Sequence, residues 1–468
     1  MSTQPGTKEY HCPVAIVDAQ PRTPIPDPGG RPRPSMPPGP RLPQPVSMAV
    51  LLFAAPAMLR ALQRHHGDMF SVTVPVFGRS VVVAGPELVK QVFQARGDVL
   101  AFGEVSPLGE VLGAGSLFAM DGERHLAERR LILPAFHGER MRGYEPIIEA
   151  EARREMAGWP EQAEFATLPS FMRITLNAIL RTVFGADGEA VRELAEALPP
   201  FVTLGSRLAL LPTLRRDLGP GSPGRRLARL RARYDAIVGR LIEARRVDPE
   251  LPRRDDVMSL LLRAHYDDGS PMSRTAIADE LLTLLAAGHE TTATSLAWAV
   301  DRLRRHPLVL SRLVAEARGG SERTLRMATI HELQRTRPVI PATSRHTLVD
   351  FPLGGRVIPR GHQIIVSAAL IHRDPRFFAD PERFDPDRFL ARGVGGPHTY
   401  AWIPFGGGTR RCPGAAFAHM EMDVVLRTLL REFDLATTAR RGEHPRDRGI
   451  ANAPARGGRA VVRRASGP

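Results

Sequence analysis

The chain has 468 residues, 43% of them hydrophobic, which is enough for a substantial core and argues against global disorder. Its formal net charge is +14, almost all from arginine, because lysine occurs only at positions 8 and 90. The only cysteines, Cys12 and Cys412, exclude a disulfide framework and suit a reducing cytoplasm. A basic balance can serve nucleic acid, anionic lipid or an acidic protein. Without zinc-finger spacing or interleaved aromatic and basic residues, nucleic acid has no support, and an acidic protein partner is the better match.

Residues 1–36 read as an extended, Pro- and Gly-rich leader without signal-peptide architecture, and Cys12 within it as incidental. The apolar run Val46 to Met58 falls short of the roughly 20 residues that span a bilayer, and Pro56 interrupts it. It is expected to pack on the domain, with peripheral membrane contact as the alternative. Met69 to Ala84 alternates and is β-branched, which predicts a hairpin. Pro86 opens a helix through Gln94. Residues 97–120 are Gly-rich and read as a mobile loop near a pocket. Asp121 to Ala135 predicts a helix with His125 and Arg129 on one face. Helices follow over 145–189, including Leu168 to Phe184, and over 190–246 apart from a break at Gly219 to Gly224.

Ser273 to Arg304 is the longest expected helix, with Ser273 as its cap. Leu281 to Gly288 is apolar on nearly all sides, so the helix is expected to cross the core. His289-Glu290-Thr291-Thr292 comes next, and a carboxylate and hydroxyls in a core helix are costly without partners or a task. A local hydrogen-bonded kink at Gly288 is the plainer alternative. Thr329 to Arg337 is a helix stopped by Pro338, with Glu332 and Arg335 on one face. Thr343 to Leu370 reads as short strands with turns at Gly354-Gly355 and Pro359-Arg360-Gly361. Residues 391–400 are loop, Phe433 to Arg456 a strand pair with a long turn, and 458–468 a basic tail. The fold class is mainly α with small β-sheets, in one domain over 37–457.

Phe405-Gly406-Gly407-Gly408-Thr409-Arg410-Arg411-Cys412-Pro413-Gly414 precedes the apolar run Ala415 to Leu430. This predicts a tight loop presenting a sulfur at the start of a buried helix, where free N–H groups and the helix dipole favour a thiolate. A haem iron can take such a ligand. A lone cysteine is also a common small core residue, and a Gly-rich turn can hold phosphate, although this one lacks the Lys-Ser/Thr ending.

Phe405, Gly408, Arg410, Cys412 and Gly414 fill the spacing Phe-x-x-Gly-x-Arg-x-Cys-x-Gly, which resembles the haem-binding loop of the cytochrome P450 family. Four further matches follow in family order. His125 and Arg129 resemble the His-x-x-x-Arg form of the helix that meets the haem propionates. Ala287-Gly288-His289-Glu290-Thr291 resembles the central-helix motif. Glu332 and Arg335 resemble the Glu-x-x-Arg pair, which Arg383 of Asp380-Pro381-Glu382-Arg383-Phe384 would complete. Arg345 matches a propionate arginine, and His372 is read as structural.

The resemblance, over about residues 37–457, implies haem b with Cys412 as iron ligand and His125, Arg129, Arg345 and Arg410 as propionate partners. Phe405 would pack on the thiolate side, and Glu290 and Thr291 would organise water and protons for catalysis. It further implies a monomeric monooxygenase that uses dioxygen on an apolar substrate. Electrons would come from a ferredoxin or flavodoxin with an NAD(P)H-dependent reductase, as no reductase segment follows the haem loop. Pocket residues are expected from 102–120, 190–225, 280–291, 339–345 and 450–453. A P450-like peroxygenase or isomerase is the alternative, then a non-catalytic haem or small-molecule binder; relatives with the former activities typically alter the acid–alcohol pair.

Overall fold

The computed structural model describes residues 34–465 apart from 44–45, 47–54, 75–76, 104–105, 186–187, 210, 321, 393–398 and 450. The leader through residue 33 with Cys12, most of Val46 to Met58, most of the 391–400 loop and Ile450 therefore lie outside the described residues. None of the helices described is long and apolar enough to cross a membrane.

β-Branched alternation gives the expected hairpin: β1 (Met69–Val74) pairs antiparallel with β2 (Gly78–Val83), Met69 opposite Val83. Three further strands, β3 (Leu100–Ala101), β4 (Thr343–Thr347) and β5 (Gln363–Val366), complete a sheet of order β1-β2-β5-β4-β3. Only β2 and β5 pair in parallel. Phe70, Val81, Val83, Ile364 and Val366 form part of a core of their own beside the larger helical one.

The helices that position the site are α1 (Gly122–Ile132), α2 (Leu168–Phe184), α3 (Glu189–Ala209), α4 (Pro223–Arg246), α5 (Arg274–Leu303), α6 (Thr324–Thr336) and α7 (Ala415–Glu432). The 30 residues of α5 extend about 45 Å. Ser273 caps it, its hydroxyl accepting the Ala276 N–H at 3.1 Å. α5 packs against α2, α7 and a hairpin of β6 (Pro445–Arg448) and β7 (Ala451–Pro454), and so runs through the helical core as its apolar surface predicts.

Four expectations need correction. Residues 97–120 are not plain loop: they hold a helix at Pro107–Leu112 and a 3-10 turn at Leu117–Ala119, capped by the Ser106 and Ser116 hydroxyls. The break after α3 is wider than Gly219 to Gly224 because α3 already ends at Ala209, and a 3-10 turn at Pro212–Arg215 lies before α4 begins at Pro223. α6 starts at Thr324 rather than Thr329 because the distant Glu316 carboxylate accepts the Leu325 and Arg326 N–H groups at 2.6 and 3.0 Å. The expected tail pairs into the fold: Arg459–Ala460 with Phe165–Ala166, and Val462–Arg464 with Phe433–Leu435, burying Ala460 and Val462.

Candidate active site

Backbone geometry sets the cysteine loop. Gly406 and Gly408 have φ of +67° and +65°, and a Cβ at 408 would stand 1.9 Å from the Phe93 carbonyl oxygen. The Cys412 N–H donates to the Phe405 carbonyl at 3.0 Å, and α7 begins three residues later, as the sequence predicts. Burial pushes the Cys412 thiol up, while the Gly414 N–H and the Arg129 and Arg411 guanidinia pull it down. Although deep in the protein, the side chain is exposed, so it borders unfilled space rather than packed atoms. Behind the loop, the Phe405 ring meets the His419 ring edge-on at 4.9 Å, and His419 Nε2 is 3.0 Å from Gln334 Oε1.

Three arginines and a histidine converge beside the cysteine loop, and one of them, Arg129, reaches the sulfur electrostatically. His125 and Arg345 are buried, and Arg129 acts directly on Cys412. Arg345 lies 5.6 Å from the ring centres of both Phe93 and Phe102, and Arg410 lies 5.3 Å from that of Phe102. Burial, then Arg410, Arg129 and Arg345, push the His125 imidazole down to about 3, against Asp121. Arg410 donates to the Leu117 carbonyl at 2.8 Å, to the Met120 carbonyl and to Asp121. Arg345 reaches only the Ser344 carbonyl at 2.8 Å and the Thr343 hydroxyl at 3.4 Å. The Arg129 side chain has no hydrogen bond or ion pair to any described residue. Excess positive charge is therefore held in a low-dielectric site, an arrangement that calls for an anionic partner.

In α5, Ala287 is exposed and Gly288 and Thr291 are half-buried, although Leu281 to Leu285 and Thr292 to Val300 are buried. A core helix thus opens onto unfilled space at the small residues. The Thr291 hydroxyl donates to the Ala287 carbonyl at 2.8 Å, and the Thr175 hydroxyl of α2 donates to the His289 carbonyl at 2.9 Å. Glu290 is buried, which raises its carboxyl, and its partner is Arg448 of β6 at 3.5 Å rather than Thr291.

The support behind the cysteine differs from expectation in one residue. Glu332 and Arg335, both fully buried, pair at 2.7 Å. Arg383 gives only its carbonyl, to Arg335 at 3.1 Å, and its side chain is exposed; the second cation on Glu332 is Arg388 at 3.2 Å. The Asp385 N–H also donates to Glu332, at 2.8 Å. Pro-x-Arg-Phe occurs twice, at 381–384 and 386–389, and the second copy carries the role. The repeat was the available signal. His372 is structural as read: its Nε2 accepts the Ile403 N–H at 2.9 Å.

The sequence model of the cytochrome P450 family matches residues 37–457. The chain belongs to that family. Among similar proteins, putative cytochrome P450 138 of Mycobacterium tuberculosis is 52% identical over 431 residues, 92% of this chain and 96% of that protein. Putative cytochrome P450 135B1 of the same species is 39% identical, over 92% of this chain and 91% of that protein. The fold matches the retinoic acid-bound cyanobacterial CYP120A1 with a TM-score of 0.81 at 24% identity, over 92% and 99% of the two chains.

The residues present fit the haem that the family implies. The cationic group suits two propionates, and the sulfur and Ala287 both border unfilled space. Among the described residues no group of three or more His, Cys, Asp or Glu side chains could hold a metal ion, so iron at Cys412 would need ligands that a porphyrin brings itself.

Proposed function

We propose that the chain is a haem-thiolate monooxygenase acting on an apolar organic substrate. The observation that carries this reading is the convergence of His125, Arg129, Arg345 and Arg410 beside a Cys412 whose side chain is uncovered deep in the protein. Bound through iron to Cys412, haem b would supply dioxygen activation and oxygen transfer, with the thiolate's electron donation favouring O–O cleavage.

The chain's own groups have distinct tasks. The Gly414 N–H, Arg129 and Arg411 stabilise negative charge on sulfur. Phe405 covers the thiolate side together with His419. Arg129, Arg345 and Arg410 would neutralise the carboxylates and a ring N–H of the neutral His125 would help orient them; Arg410 thereby also ties the cofactor edge to the Leu117 carbonyl. Because the Thr291 proton is committed to the Ala287 carbonyl, its oxygen can accept a hydrogen bond from water in the opening. Glu290, with its carboxyl raised by burial, retains a proton closer to neutrality and can relay it, Arg448 setting its position. Electrons come from a ferredoxin or flavodoxin and its NAD(P)H-dependent reductase.

The test uses the haem-loaded protein. Cys412→Ala should lose the carbonyl spectrum that marks thiolate ligation, and an unchanged spectrum refutes the assignment. Thr291→Ala should consume electrons yet lower product per electron about tenfold or more, with peroxide released. Normal coupling would remove Thr291 from the mechanism. Turnover that needs no electron donor would favour the peroxygenase or isomerase reading.

A further inference from the structure

A half-open cleft of about 620 Å³ lies where the Pro107–Leu112 helix, α3, the 212–216 turn and the start of α4 meet. Its wall is divided by chemistry: Val111, Phe201, Leu227 and Ala228 are apolar, while Arg215, Arg216 and Arg231 face a single acid, Glu110. Two of the arginines are already engaged. Arg215 pairs with Glu110 at 2.7 Å and donates to the Pro107 carbonyl at 3.0 Å. Arg231 pairs with Asp235 at 2.8 Å and with Asp279 of α5, and donates to the Leu112 carbonyl at 3.0 Å. Arg216 makes no ion pair or hydrogen bond with any described residue.

The turn that carries Arg216 is fixed. A Cβ at Gly224 would stand 2.2 Å from the Arg216 carbonyl oxygen and 2.3 Å from that of Arg215, so only glycine lets the turn press onto the first residues of α4. Leu211, Leu214 and Leu218 on the same segment are exposed. Through Arg231 and Asp279 the wall touches α5 eight residues before Ala287, about 12 Å along the helix axis. That separation is within reach of an extended medium-chain molecule.

We propose that this cleft binds the carboxylate end of the substrate, which is therefore an amphiphilic organic acid. Its head pairs with Arg216, its chain runs over Phe201, Val111 and Leu227, and its far end reaches toward the Ala287 opening. This deepens the monooxygenase reading and rests on it for the word substrate.

The test compares dodecanoate with methyl dodecanoate, at equal free concentration, on the full-length haem-loaded protein. Binding is read by calorimetry, which needs no haem response, and separately by the optical spin-state shift. The acid should bind about tenfold tighter than the ester. Arg216→Gln should erase that preference while leaving the ester unchanged, and Arg216→Lys should keep most of it. Equal affinity of acid and ester, a preference that survives Arg216→Gln, or no saturable binding of either probe overturns the proposal. Arg216-dependent sedimentation with phosphatidylglycerol vesicles, without acid–ester discrimination in solution, overturns it in favour of a lipid head group. An Arg216-dependent acid preference by calorimetry without any optical shift supports the site while counting against the monooxygenase reading.

Discussion

The two flanks of the site are held by different physics. On the cysteine flank the loop is held mostly by backbone, with glycines pressed onto Phe93 and the Phe405 carbonyl holding the Cys412 N–H, and the His372 ring adds one side-chain anchor at Ile403. On the opposite flank, residues 113–120 hang from side chains of other elements. Gly115 donates to Asp279 and Leu117 to Glu280, both at 2.9 Å, the Thr283 and Ser116 hydroxyls meet at 2.7 Å, and Arg410 holds the Leu117 carbonyl. A backbone-held loop keeps its path when its own exposed side chains change, whereas a side-chain-held wall can be reshaped one residue at a time. This division lets substrate selection change while the iron side stays fixed.

The largest effect should come from breaking the support behind the cysteine. Glu332→Ala leaves Arg335 buried without its carboxylate and should cost about 3–5 kcal/mol in urea unfolding. Arg388→Ala should cost less, about 2 kcal/mol, because Arg335 still pairs with Glu332. Arg383→Ala, an exposed side chain, should stay within about 0.5 kcal/mol. Equal losses for Arg383→Ala and Arg388→Ala would contradict the contact pattern around Glu332.

What was legible in the sequence follows the same division. The hairpin, the Pro86–Gln94 helix, the Ser273 cap and the Cys412 turn are set by neighbours along the chain, so local pattern located them. The α6 start depends on Glu316 and the hold on residues 115–117 on Asp279 and Glu280, partners that no short window contains, whereas the Ser106 and Ser116 caps were a local signal. The triad cation was missed for another reason: two copies of Pro-x-Arg-Phe are equivalent as letters, and only packing places Arg388 within reach of Glu332. The Arg216 cleft draws on four separate segments and had no local signal beyond the basic start of α4.

A pH series should act on the two flanks with opposite sign. On the cysteine flank, burial holds His372 neutral by pushing its pKa down to about 3. Its contribution is complete above the unfolded value near 6.5 and is lost as pH falls below it, by about 1 kcal/mol per unit. On the other flank, burial pushes Glu280 up to about 8. Its contribution is complete below the unfolded value near 4.5 and is lost as pH rises toward 8, at a similar slope. His372→Gln should therefore flatten the acid side of the stability profile, and Glu280→Gln the neutral-to-alkaline side. If both substitutions tilt the profile the same way, at least one group does not carry the protonation state assigned to it.

The most local effect should follow Asp279→Asn. The amide oxygen can still accept the Gly115 N–H, so the bond survives without its charge, while the pairing with Arg231 is lost. Weakening by about 1.4 kcal/mol corresponds to tenfold faster hydrogen exchange at Gly115, with Leu117 following if residues 113–117 open as a unit. The Cys412 and Ile403 amides, held by backbone and by His372, should exchange at unchanged rates. Exchange that quickens equally on both flanks would mean that the wall and the cysteine loop open together, and that the fixed side is not independent of the adjustable one.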